Sequence, residues 1–305
     1  MTFDSRQITA FIGIATHGSL GRTAEAMHIT QPALSRIVRR MELQLGVALF
    51  ERNAKGMRLT SYGEALLPRA ILLQQESLRA TEEIQAMRGL SKGTIRVGAI
   101  GSIASSLLPL AIGQVLTRWP NLRIEVVEGV WDRLAEALLR HEIDIALGTH
   151  LQDSNDICSI ADCRWTDESH VVGSAGHALR DRASLTLADT IDQRWVIVPR
   201  GTGPFEDMRR LFEQHGLGLP NIVVETRSIV VLKSLVINAG FISWMAAPMY
   251  DVERRAGLVD ALPIEGAHAE RTLSAFRRRD GLLPGPAVKL VEALRSIAQA
   301  PPSHR

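Results

Sequence analysis

The sequence predicts an α/β multidomain chain: an N-terminal winged helix-turn-helix, a long linker helix and a larger α/β domain. Three observations predict it. Residues 1–60 hold three short helical patterns followed by two short extended runs, and residues 61–88 carry one uninterrupted helical seam. From residue 94 apolar strands alternate with amphipathic helices, the rhythm of a parallel sheet covered by helices. A length of 305 residues suits two or three domains, and 46% hydrophobic with 22% charged residues excludes a disordered or fibrous chain.

In the first helix, Ile8, Phe11, Ile12 and Ala15 share one face, and Gly18 ends it. Ser19 caps a second helix whose inner face carries Leu20, Ala24 and Met27. A turn through His28 and Ile29 leads to Thr30-Gln31-Pro32. Pro32 has no N–H to donate, so it belongs in a first helical turn with Thr30 or Gln31 as cap. The third helix is expected to bury Leu34, Val38, Met41 and Leu45 and to stop at Gly46. Gln31, Ser35, Arg36, Arg39 and Arg40 fall opposite that stripe. Two short helices across a tight turn, the second showing Gln, Ser and Arg, make a helix-turn-helix suited to base edges and phosphates.

Residues 47–52 and 57–60 read as strands around the polar turn Asn53-Ala54-Lys55-Gly56. This hairpin is a wing, whose Arg52, Lys55 and Arg58 can reach phosphates and add affinity without reading sequence. The first 62 residues carry eight cations against four acids, while the whole chain is only +2. A basic head on a slightly acidic remainder is expected where one end meets a polyanion.

The run GSLGRTAEAMHITQPALSRIVRRMELQLGVALFERNAKGMRLTSYGEALLPRA resembles the DNA-binding region of the LysR-type transcriptional regulators. Its markers are the small-residue second helix, the TQPALSRxxxxxExxLGxxLFxR block and the LTxxG exit from the wing. The resemblance implies that Thr30, Gln31, Pro32, Ala33, Ser35, Arg36 and Arg39 lie at or near double-stranded DNA, with Arg52 on the backbone. It implies a sequence-specific regulator controlled by a small-molecule, anionic effector, with RNA polymerase as a further partner and neither cofactor nor metal.

A long helix is expected from 61 to about 88. Leu66, Ala70, Leu73, Ser77, Ala80, Ile84 and Met87 form a heptad seam, with Gln74, Gln75, Arg79, Glu82 and Glu83 on other faces. The seam must be buried on the chain's own body or on another copy. Heptad spacing favours another copy, and the resemblance implies dimerisation through this helix, so a dimer or tetramer is expected. Ser77 and two alanines make the seam thin. Residues 89–93 form a hinge.

Strands are expected at 94–100, 123–128 and 143–148, with helices at 107–118 and 131–141. A second set places strands near 170–173, 195–199, 222–226 and 241–244, and helices near 204–215, 229–239 and 247–256. A strand at 272–277 and a helix at 286–299 close the chain. The layout resembles the LysR effector domain, a two-lobed, periplasmic-binding-protein-like α/β pair. Crossings near 162–167 and 264–270 give lobe I as about 91–164 and 268–300, and lobe II as about 165–267. The domain boundaries are thus 1–60, 61–90 and 91–305.

Ligands in open parallel sheets bind beyond the strands' carboxyl ends, here in the interlobe cleft. The segments ending there are 101–105, 129–132, 200–205 and 227–229, each leading into a helix whose free N–H groups attract anions. Ser102, Thr202 and Ser228 offer hydroxyls, Arg200 a carboxylate partner, and Ile103 and Phe205 lie in the same segments. The resemblance implies effector contact at Ser102, Trp131 and Thr202. Trp131 stands where a small polar residue is common, so an aromatic or larger anion stacked on it is expected.

Other readings have less support. There is no GxSxG, HExxH, CxxC or P-loop, Gly201-Thr202-Gly203 is too short to count, and His141-Glu142 with Asp144 reads as a helix running into a strand. An enzyme is therefore not expected. A solute-binding protein explains the lobes but not the head or the linker. Cys158 and Cys163 are too few for a disulfide framework and read as small residues in a reducing compartment, with a redox-responsive regulator as the alternative. No leader pattern opens the chain and no apolar run reaches about 18 residues, so a cytoplasmic protein is expected.

Overall fold

The computed structural model describes residues 3–53, 56–87, 93–149, 153–280 and 282–299; Lys55 of the wing and the side chain of Met87 lie outside this description. The chain divides into two compact units, Met1–Arg88 and Gly89–Arg305.

The first unit contains α1 (Ser5–His17), α2 (Leu20–Ala26), α3 (Gln31–Leu45), β1 (Phe50–Asn53), β2 (Gly56–Leu59) and α4 (Ser61–Met87). Its helix ends follow the capping chemistry read from the sequence. Gly18 and Gly46 adopt the left-handed conformation that closes α1 and α3, while Ser19 and Thr30 cap α2 and α3. Asp4 and Gln7 form a capping box at the start of α1. Phe11, Ile14, Leu34, Met41 and Leu49 are fully buried at the centre. Leu45 departs from expectation: it is 36% exposed and lies outside the core, because α3 is already ending there.

The second unit runs β3 (Thr94–Ala99), α5 (Gly101–Ala104), α6 (Leu107–Arg118), β4 (Arg123–Glu128), α7 (Trp131–Leu139), β5 (Ile145–Thr149) and β6 (Ile157–Ser174). It continues through β7 (Trp195–Ile197), α8 (Gly203–Gln214), β8 (Ile222–Glu225), α9 (Ile229–Ala239), β9 (Ser243–Ala246) and α10 (Ala247–Arg255). β10 (Val259–Ala261), β11 (His268–Arg278) and α11 (Gly285–Gln299) complete it. One seven-stranded sheet has the order β10-β6-β11-β5-β3-β4, with β9 also on β6; β7 and β8 pair separately. The sheet is mixed. β3 is parallel to β4 and β5, but β6 and β11 are antiparallel to each other and to their remaining neighbours.

The segments expected as crossings are strands. Residues 162–167 lie inside the 18-residue β6, and 264–270 run into β11, which pairs with β6 from His268–His170 to Arg278–Ile157. The ladder is interrupted once: Ser274 faces Arg164 and Phe276 faces Ser159, so β6 carries a bulge. Within it Asp162 has φ 61°, a value rare outside glycine.

Candidate functional sites

On α3 the buried stripe Leu34, Val38 and Met41 turns Gln31, Pro32, Ser35, Arg36, Arg39 and Arg40 to solvent, with Thr30 exposed at the cap and Ala33 half-buried. The Thr30 hydroxyl accepts the Ala33 N–H at 3.4 Å. The hairpin is fastened to this helix by Glu42, whose Oε1 accepts the N–H groups of Leu49 (2.7 Å) and Phe50 (3.3 Å). Its other side is tied down where the Met57 N–H donates to the Gly18 carbonyl at 2.9 Å. Gly56 is required there, since a Cβ would stand 2.4 Å from that same carbonyl oxygen. The LTxxG exit has an equally local cause: Thr60 Oγ1 donates to the Ala48 carbonyl and accepts from Gly63 N, while a Cβ on Gly63 would meet the Leu49 carbonyl at 2.3 Å.

Arg52 and Arg58 are exposed on the wing. The register sets Arg52 opposite Met57 and Arg58 opposite Glu51, so the two arginines leave from opposite faces of the hairpin.

The heptad seam on α4 divides. Ala70 is buried and Leu66 half-buried in the core of the first unit, where α4 packs on α1, so these two positions are not free for another copy. The Gln74 amide reinforces that packing by donating to Thr9 Oγ1 at 3.2 Å. Beyond it Leu73 (50%), Ser77, Ala80 and Ile84 (58%) are exposed. Leu73 and Ser77 also border a groove of about 510 Å³ with Phe3, Ile8 and Leu78.

In the second unit the ends of β3, β4 and β5 and the starts of α7, α8 and α9 enclose a cavity of about 360 Å³, with Ser169 of β6 also in its wall. Ser102, Trp131 and Ser228 lie in its wall as expected from the sequence, although the Ser228 hydroxyl also caps α9. Four expected residues are not in the wall. Ile103 (0% exposed) and Phe205 (3%) are core residues. The Thr202 hydroxyl turns back to the Pro199 carbonyl at 2.8 Å, and Arg200 points to solvent beside Glu225. Trp131 reaches the cavity with its ring engaged by Phe276 (centroids 4.5 Å apart) and lying against Gly148, where a Cβ would meet it at 2.6 Å.

Sequence reasoning missed Arg271. From β11 its Nε and Nη2 donate to the two carboxylate oxygens of Asp167 on β6, at 2.8 and 2.7 Å, and Nη2 also donates to Ser102 Oγ at 3.2 Å. The pair is buried, with side-chain exposures of 8% and 3%. Glu128, Arg133 and Arg227 are exposed in the same wall, and Trp244 lines it with its indole N–H unpartnered among the described residues. The readable signal was a charge at an inward position of each long strand.

Cys158 and Cys163 are free and buried, and burial pushes the Cys163 thiol up, away from the reactive thiolate. Among the described residues no group of three or more His, Cys, Asp or Glu is placed to hold a metal, and no helix is long and apolar enough to cross a membrane.

Comparison with known proteins places this architecture. Residues 5–64 match the bacterial regulatory helix-turn-helix protein family of lysR type, and residues 88–299 match the LysR substrate binding domain. The chain belongs to the LysR family of transcriptional regulators. This LysR-family chain is 32% identical over 241 residues to the transcriptional regulator GbpR of Rhizobium radiobacter, covering 77% of this chain and 79% of that one. It is 28% identical to CfxR of Cupriavidus necator, covering 87% and 83%. Full-length CbnR complexed with its target DNA shares the fold, with a TM-score of 0.72, 23% identity and coverage of 97% and 99%. The chain is thus a LysR-type DNA-binding transcriptional regulator with a helix-turn-helix at its amino end and an effector-binding domain behind it.

Proposed function

We propose that this regulator reads DNA through the exposed face of α3 and responds to a small anionic molecule held in the 360 Å³ cavity of its second unit. The observation that carries the effector reading is a cavity with unmet polar demand. Its wall holds a buried indole N–H without a partner among the described residues and the Arg271 guanidinium, between the amino-terminal ends of α7, α8 and α9. Arg133, Arg227 and Arg271 outnumber Glu128 and Asp167, so the site favours an anion. The volume is near the lower end for small-molecule sites, and the Trp131 ring forms wall more than it offers a free stacking face. Thr30, Gln31, Pro32, Ala33, Ser35, Arg36 and Arg39 form the reading face, and Arg52, Lys55 and Arg58 add phosphate contacts.

The regulator works as a dimer at least, joined through the part of α4 that its own core leaves exposed, around Leu73, Ser77, Ala80 and Ile84. It acts in the cytoplasm, without a catalytic function, cofactor or metal. The effector shifts promoter occupancy only by its differential affinity for two states of the regulator.

A thermal-shift screen of the full chain against carboxylates, aromatic acids, sulfonates and sugars tests the reading. A ligand at about 100 times its Kd adds roughly 2.7 kcal/mol. Val230→Trp, built at an exposed position of the cavity wall, should abolish both the shift and the promoter response. An unchanged promoter response in that variant would overturn the cavity as the effector site.

A further inference from the structure

Ser169 of β6 is only 1% exposed, yet it belongs to the cavity wall. Its cross-strand neighbours are Ala269 on β11 and Ala246 on β9, so it forms the middle of an alanine–serine–alanine row on one face of the sheet. Packing alone would be met there by a third alanine. The hydroxyl makes no hydrogen bond among the described residues. Unlike the Trp244 indole N–H, which is sealed in, it keeps open surface, and the surface open to it is the cavity.

The same face carries more polar chemistry. Side chains alternate along a strand, so Ser169 shares its face with Asp167, while Glu168 and His170 take the other, where they pair at 3.3 Å. Asp167 fills the Nε–Nη2 edge of Arg271, one of the edges with which an arginine clamps a carboxylate, and cancels its charge. Arg271 Nη2 also donates to Ser102 Oγ at 3.2 Å. That bond occupies a lone pair of Ser102 and turns its proton away from the guanidinium. Ser102 is 2% exposed, and its hydroxyl donates to no group among the described residues.

The buried wall thus presents two hydroxyl donors, Ser102 and Ser169, for which the described residues supply no acceptor. An ionised oxygen takes such donors more strongly than a neutral one. The exposed Arg133 and Arg227, against Glu128, draw negative charge into the cavity. Ile100, Val130, Met245 and Met249 make much of the remaining wall apolar.

We infer that Ser169 is an effector-binding residue: its hydroxyl donates to the oxyanion of a carboxylate carried on an apolar body, and Ser102 is a further donor in the same buried wall. The assignment rests on the effector reading of the cavity.

Calorimetric titration of the full chain tests it with hexanoate, benzoate and 3-phenylpropanoate, beside 1-hexanol, benzyl alcohol and 3-phenyl-1-propanol, which keep each skeleton with a neutral head. At least one carboxylate should bind saturably, and its alcohol about tenfold or more weakly. Ser169→Ala, between two alanines and with no hydrogen bond to lose, should melt like the parent protein. It should weaken the carboxylate about tenfold and the alcohol much less, so the ratio of the two affinities falls. The inference is overturned if Ser169→Ala binds the carboxylate as tightly as the parent, if acid and alcohol bind alike, or if no carboxylate binds by about 10 mM. A marked loss of melting temperature in Ser169→Ala would also overturn it, since the hydroxyl would then be spent on the fold. Val230→Trp separates the two failures. If it still abolishes the promoter response, only the Ser169 assignment is wrong; if the response persists, the effector reading of the cavity is wrong.

Discussion

Arg271 grips Asp167 with two hydrogen bonds of 2.8 and 2.7 Å, directly across the β6–β11 ladder, and the pair is buried. Taking two charges out of water is costly, and their mutual attraction offsets that cost only while both are present. Arg271→Met should therefore destabilise the second unit by about 3–5 kcal/mol, measured by urea unfolding. Asp167→Leu combined with Arg271→Met should recover most of the loss. A double variant as unstable as the single one would mean that the pair is not the cause.

The arginines of the first unit should separate into two kinds. Arg36→Ala is expected to cost about 1–3 kcal/mol at the cognate site and much less on random DNA. Arg58→Ala should weaken both DNAs about equally and reduce the salt slope by about one. Fluorescence anisotropy at two salt concentrations distinguishes them. An equal loss on both DNAs for Arg36→Ala would reassign it to a phosphate.

The divided seam of α4 gives a contrast between two leucines. Leu73→Glu with Ile84→Glu changes exposed positions, so the chain should stay folded but sediment as a smaller species at micromolar concentration. Leu66→Ala opens the core of the first unit and should lower stability by about 2 kcal/mol without changing the oligomer at low temperature. Unchanged sedimentation of the double glutamate variant would remove α4 from the interface.

Acid should loosen the second unit through His177. Burial pushes this imidazole below its ordinary 6.5, while its Nδ1 accepts the Leu179 N–H at 3.2 Å. As pH falls, the unfolded chain takes up the proton first. The contribution is intact above about pH 6.5 and is lost as pH drops through the lower folded value. His177→Asn keeps an acceptor but cannot titrate. It should flatten the stability profile on the acid side by up to about 1.4 kcal/mol per pH unit relative to the parent protein. Parallel profiles would show that His177 carries no such linkage.

The parts legible in the sequence are those where side-chain chemistry and local geometry agree. The cap at Thr30, the stop at Gly46 and the stripe Leu34, Val38 and Met41 each follow from one turn of helix, and α6 and α9 fall on their predicted residues. β6 did not read as one strand because its inward positions run Cys163, Trp165, Asp167, Ser169, and a charge in that row breaks the apolar alternation. The compensating charge, Arg271, lies 104 residues further along the chain, beyond any local pattern. The same non-locality hid half of the candidate cavity. Ser102 and Trp131 stand at helix starts that the sequence marks, whereas Arg271, Trp244 and Met249 arrive by sheet pairing and packing. Conversely, Ile103 and Phe205 sit next to wall segments in sequence but turn into the core.

The ribbon of β6 and β11 has a mechanical consequence. In many two-lobed folds slack crossover chains act like a door hinge, and the halves swing freely. Here the connecting segments are laddered to each other by backbone hydrogen bonds over most of their length, with the bulge at Asp162 as the weak point of the ladder. Two strands joined along their backbones resist bending more than two separate chains do, so this joint is stiff everywhere but at its bulge.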